Sequence, residues 1–181
     1  MRNLARIFLF LGVVKFASGA VEGFGPWRFG MSKADVTAIT KFGPYSDVRS
    51  TGGVETWNAV WNGQKTNTSF VFSGGALVKI QIWVYEGKDE EKALDAWVSV
   101  AASLQKDFGD VDLNGTPAPS GEGSAKTIRS FMKKALAESA RDSVVKVQMG
   151  PRTMPPGAVV FSSFFRHPQH GFYVFLYYTK A

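Results

Sequence analysis

Between residues 54 and 85 the chain carries three apolar, β-rich runs separated by two glycine turns, and nothing else in it narrows the fold as much. Val54–Trp61 and Gln64–Phe72 flank Asn62-Gly63, and Ser73-Gly74-Gly75 leads into Ala76–Tyr85. Asn-Gly supplies the two positive-φ residues of a tight hairpin, so these runs read as consecutive antiparallel strands. Across a two-residue loop Trp61 pairs with Gln64, which puts Trp57 and Trp61 on one face with Phe70 and Phe72. With Ser73-Gly74-Gly75 as a three-residue loop, Phe72 pairs with Ala76, and Val78, Ile80, Ile82 and Val84 join that face. Asn58, Asn67, Ser69, Lys79 and Gln81 then lie opposite, together with Trp83 and Tyr85. A two-residue Gly-Gly loop would mix apolar and polar residues on both faces, because a one-residue slip reverses every side chain. The cleaner register is the expected one.

Around this meander the pattern alternates between helix and strand periods. Ser32-Lys33-Ala34-Asp35 starts a short helix, with Ser32 as cap and Asp35 at the favourable N-terminal position; Gly43-Pro44 ends it. Ser46–Ser50 is a further strand. From Asp89 to Phe108, Leu94, Trp97, Ala101, Leu104 and Phe108 form one continuous stripe. A second helix over Ala125–Glu138 shows Ile128, Phe131, Met132, Ala135 and Leu136 on one side, after a surface loop at Asn114–Gly123. Ser143–Met149, Ala158–Arg166 and Phe172–Thr179 close the chain as strands; Phe172–Tyr178 is apolar on both faces, as in a central or doubly covered strand. The expectation is an α+β fold: a mainly antiparallel sheet of about seven strands with two or three helices packed on one face. Residues 21–181 form a single domain in this reading, divisible into two helix-plus-meander halves at about 24–87 and 88–181.

The N-terminus sets the expected compartment. Arg2 and Arg6 precede the apolar Ile7–Val14, and Ser18-Gly19-Ala20 supplies the small-x-small cleavage pattern, so residues 1–20 read as a signal peptide. Lys15 breaks the apolar run below the length of a transmembrane anchor. The chain has no Cys, so neither lipidation nor disulfides are available. A periplasmic or secreted location follows. Losing Arg2, Arg6 and Lys15 lowers the net charge from +6 to +3. Without a Lys/Arg cluster, that gives no case for nucleic acid.

Little in the sequence resembles a catalytic or metal centre, and no catalytic, cofactor or metal residue is assigned. It contains no Gly-x-Ser-x-Gly elbow, His-Glu-x-x-His or P-loop, and only two His. Those two sit in Arg166-His167-Pro168-Gln169-His170, which reads as a polar turn; a hydrolase would have to work there, near His167 and His170. Asp89-Glu90-Glu91 reads as a helix N-terminus, and Asp107, Asp110 and Asp112 as loop carboxylates. Trp83 and Tyr85, on the face of Lys79 and Gln81, are the candidate partner-binding patch. The alternative is that the segment holding Phe24, Trp27 and Phe29 folds over them.

Phe29-Gly30-Met31-Ser32, Val36, Ile39 and Phe42-Gly43-Pro44, followed by the meander, resemble the SmpA/OmlA-like envelope proteins over about residues 29–85. The helix-plus-meander arrangement is similar to that of beta-lactamase inhibitor proteins. Both resemblances imply envelope or extracellular binding without catalysis. The function expected is therefore that of an exported, non-enzymatic protein binding a protein or cell-envelope partner, with a secreted hydrolase as the alternative.

Overall fold

Three two-residue turns, each with both residues at positive φ, organise the sheet: Asn62-Gly63, Gly74-Gly75 and Asn114-Gly115. Their backbone twist matches that of the strands they join. The computed structural model describes residues 20–118, 120, 121 and 123–181; the expected signal peptide otherwise lies outside the described residues.

In chain order the strands are β1 (Gly23–Phe24), β2 (Trp27–Arg28), β3 (Tyr45–Val48), β4 (Gly53–Trp61), β5 (Gln64–Ser73) and β6 (Ala76–Gly87). They continue with β7 (Val111–Leu113), β8 (Thr116–Pro117), β9 (Val145–Pro151), β10 (Ala158–His167) and β11 (Gly171–Lys180). The helices are α1 (Lys33–Thr37), α2 (Glu90–Phe108) and α3 (Ser124–Glu138). β1 and β2 form a small ribbon; the other nine strands make one sheet in the order β3-β4-β5-β6-β11-β10-β9-β7-β8. Every pairing is antiparallel. The class is the expected α+β, but the sheet has nine strands rather than about seven. The two extra strands come from the stretch around Asn114-Gly115, which is a hairpin rather than plain loop. β11 occupies the fifth position of nine, as its two-sided apolar sequence requires.

Local chemistry explains the helices. Ser32 and Asp35 form a complete capping box: the Ser32 hydroxyl accepts from the Asp35 amide, and the Asp35 carboxylate accepts from the Ser32 amide at 3.0 Å. That carboxyl is held below its usual range by the Ser32 hydroxyl and amide. Asp89 caps α2 by accepting from the Lys92 amide, and Leu94, Trp97, Ala101 and Leu104 are buried as the stripe demands. On α3, Ile128, Met132 and Leu136 are buried, whereas Phe131 points to solvent. α3 is tied to α2 by Arg129, which reaches Glu91 and Asp95, and by Lys133 on Glu91.

Bulges decide which side chains reach the core. The Gly74-Gly75 turn pairs Ser73 with Ala76, so the loop has two residues, not three. A bulge then shifts the register between Phe72–Leu77 and Val71–Lys79, leaving Val78 unpaired. This extra residue restores the expected faces: Phe70 pairs with Ile80 and Thr68 with Ile82, and both isoleucines are fully buried against the helices. Leu77 takes the core position expected of Val78. A second shift lies between the Val174–Tyr85 and Phe175–Trp83 pairs, at Val84, and a third between Thr56 and Ala59 in β4. The last of these corrects the expectation for Trp57, which is 63% exposed instead of in the core, while Trp61 remains buried.

One hydrophobic core lies between the sheet and the helices, running from Val54 and Phe70 through Trp97 to Val147 and Phe164. The N-terminal ribbon extends this same layer. Trp27 packs on Phe42 and Phe70, with centroids 4.9 and 4.8 Å away, and Phe24 lies 5.5 Å from Tyr178. It therefore covers the core side of the sheet, and among the described residues no element covers the opposite face, which carries Trp83.

Candidate binding face of the sheet

The uncovered face can be built row by row from the strand register. In the central row Gln148 lies beside Ser163, Ser163 beside Phe175, Phe175 beside Trp83, and Trp83 beside Asn67. On one side runs the row Lys146, Phe165, Tyr173 and Glu86; on the other runs Phe161, Tyr177, Gln81 and Ser69. Ser163, only 3% exposed, is the small residue in a ring of large ones, so it forms the floor of a groove of about 540 Å³.

The walls are coupled aromatic rings. Trp83 meets Phe175 edge-on at 4.8 Å, Tyr173 stacks on Phe175 at 5.9 Å, and Phe161 stacks on Tyr177 at 4.6 Å. Such contacts lock ring orientations. Lys79 stands over the Tyr177 ring at 4.6 Å. Burial lowers the Lys79 ammonium's pKa and pushes the Tyr177 phenol up to about 12. Both shifts have one cause, a surface that keeps water away from polar groups. Among the described residues neither Lys79, Lys146 nor Glu86 has an ion-pair partner. In the central row the Trp83 indole N–H and the Asn67 side-chain oxygen are buried without a partner.

The structure separates the two residues of the expected patch. Trp83 pairs with Phe175 on the bare face, but the bulge at Val84 turns Tyr85 to pair with Val174, whose neighbours pack against the helices. Tyr85 is part of the α2 N-terminus instead: its hydroxyl donates to the Asp89 carbonyl at 3.0 Å and accepts from the Asp89 amide at 3.2 Å. Reading alternation strictly along β6 cannot foresee this, since one extra residue reverses the face. The partners that join Trp83 come from β10 and β11. Alternation of Lys146 and Gln148 with buried valines marks the outer face of β9, and pairing β9 with β10 carries that assignment to Phe161 and Phe165.

The remaining sequence candidates take structural positions. Asp110 and Asp112 pair with Arg152, each at 3.1 Å, and Asp89 and Glu91 serve α2. The His167 and His170 rings lie 4.4 Å apart in the β10–β11 turn, beside a cleft lined, among the described residues, by neither a carboxylate nor a serine. Among the described residues no three His, Asp or Glu side chains are grouped to hold a metal, and no helix is long and apolar enough to cross a membrane. No family model, curated protein or solved structure matches the chain.

Proposed function

We propose that this is an exported, non-enzymatic binding protein that receives a partner protein on the bare face of its sheet. The observation that carries the reading is the groove around Ser163: aromatic walls, two ammonium groups and a single carboxylate that have no ion-pair partner, and no covering element, among the described residues. Its chemistry selects for apolar side chains flanked by carboxylates. Apolar groups fill the aromatic walls, and carboxylates meet the partly buried Lys79, where desolvation strengthens the attraction, and the exposed Lys146 at the rim. A sugar chain fits less well, because the aromatic rings are half-buried against one another and present no free flat face for a sugar ring to lie on. Export rests on the Arg2–Ala20 pattern, and the resemblance of residues 29–85 to envelope proteins points the same way.

Two measurements test it. Protein isolated from its host should begin near Val21 by mass spectrometry; an intact Met1 in the cytoplasm contradicts export. In an NMR titration, a synthetic peptide alternating Leu or Phe with Asp or Glu should shift resonances of Trp83, Tyr173 and Phe175. The shifts should vanish in Lys79→Glu/Lys146→Glu. Shifts with cell-wall glycan fragments but not with acidic peptides would overturn the protein-partner reading.

A further inference from the structure

We propose a second, independent site: the cleft beneath the β10–β11 turn binds a phosphate group. It is a space of about 250 Å³ that shares no lining residue with the aromatic groove. Three separate segments bring cations to it. Lys88 comes from the β6–α2 junction, Arg141 from the connection between α3 and β9, and Arg166 from the end of β10, where the His167 ring also lines the space. They are distant in sequence, so no basic run announces them.

Arg166 is the fixed member of the set. Its guanidinium donates to the carbonyls of Leu136 at 3.2 Å, Ala140 at 2.7 Å and Ser143 at 3.4 Å. All these acceptors are neutral, so they hold the group in place without cancelling its charge, and its Nε is buried with no partner. Among the described residues, Lys88, Arg141 and Arg166 make no ion pair, and no carboxylate lines the cleft. His167 accepts at Nδ1 from the Gln169 amide at 3.3 Å, which leaves its other ring nitrogen as a hydrogen-bond donor. Phe172 and Pro168 supply apolar walls.

Several cations converging on one small space repel each other and favour a multivalent oxyanion over a single carboxylate. Arginine and lysine together are the usual donors to phosphate oxygens. The volume accommodates the phosphate group, free or at the end of a larger molecule, while the aromatic groove would engage its own partner separately.

The test is an NMR titration of the protein with inorganic phosphate at constant ionic strength, with chloride as the balancing anion. Saturable shifts are expected at His167, Gln169 and Gly171, with none at Trp83. Lys88→Glu/Arg141→Glu should weaken binding at least about tenfold, with unchanged melting temperature because neither side chain has an ion-pair partner among the described residues. Arg166 is left intact, since it ties the end of α3 to β10. A parallel arm sediments the protein with phosphatidylglycerol/phosphatidylcholine vesicles. Phosphate binding without sedimentation assigns the site to a soluble phosphate compound. Sedimentation that inorganic phosphate competes away and the double variant loses assigns it to a lipid headgroup. Linear, unsaturable shifts with phosphate, or equal affinity in the double variant, would overturn the proposal.

Discussion

Both faces of the nine-stranded sheet are rich in aromatic residues, yet they do opposite things. On the helix side Phe70, Trp97 and Phe164 have no exposed surface, and Trp27 closes the layer with 1%. On the other side Trp83, Phe161, Tyr173 and Phe175 are half-buried only because they pack on one another. The difference lies in what each face is given to meet. α2, α3 and the N-terminal ribbon all pack on one side, and lysines stand among the rings of the other. Counting aromatics therefore says nothing about which face is core; the covering elements and the charges decide it. Neighbouring residues on β11 show the contrast directly. Tyr178 sits on the helix side at 8% exposure, and Tyr177 on the bare side beneath Lys79.

The sharpest way to break the comparison is to excavate each face. Ile80→Ala, on the helix side, removes a fully buried side chain and should cost about 2–5 kcal/mol in urea denaturation, through lost burial plus a cavity. A small effect would mean that the sheet's sides are misassigned.

Alkaline titration compares the two tyrosines. Burial raises both phenols, that of Tyr178 with help from the nearby Asp107 carboxylate. A raised acid stays neutral in the fold after its unfolded counterpart has ionised. Its contribution is therefore complete below about pH 10 and is lost as pH rises through the folded value. Thermal melts between pH 9 and 12 should show this fall. Tyr178→Phe should remove more of it than Tyr177→Phe, because the helix side is the better shielded.

Smaller effects are expected on the bare face. Trp83→Ala loses ring contacts that are already half-exposed, so about 1–2 kcal/mol is expected, with complete loss of peptide binding. Gln81→Ala, on the same face, should stay within about 0.5 kcal/mol. Should Gln81→Ala prove as damaging as Ile80→Ala, the register of β6 would be wrong.

Much of this architecture is legible in the sequence because local signals agree: the Asn62-Gly63 turn, the stripe from Leu94 to Leu104, and the Ser32/Asp35 box each act within a few residues. The helix-facing positions of Ile80 and Ile82 are legible too, although for a different reason from the one the loop suggests. The two-residue turn alone would put them on the wrong side, and the bulge at Val78 puts them back. What alternation cannot convey is where such extra residues enter. Trp57 left the core and Tyr85 left the bare face through single-residue insertions whose benefit is tertiary. The groove around Ser163 was equally hidden, because its walls come from strands that are up to about a hundred residues apart in the chain. Phe172–Tyr178 signals apolar surface on both sides, but nothing in that run says that one side has no covering layer.

Hydroxyl-radical footprinting read by mass spectrometry tests the central claim, that one aromatic face is core and the other a binding surface. Trp83, Tyr173 and Phe175 should be labelled at intermediate rates, while Trp97, Phe164 and Trp27 stay unlabelled. Adding the acidic peptide should protect the first three and leave Trp57 unchanged. Protection of Trp83 in the free protein to the level of Trp97, or labelling of both faces alike, would contradict the account.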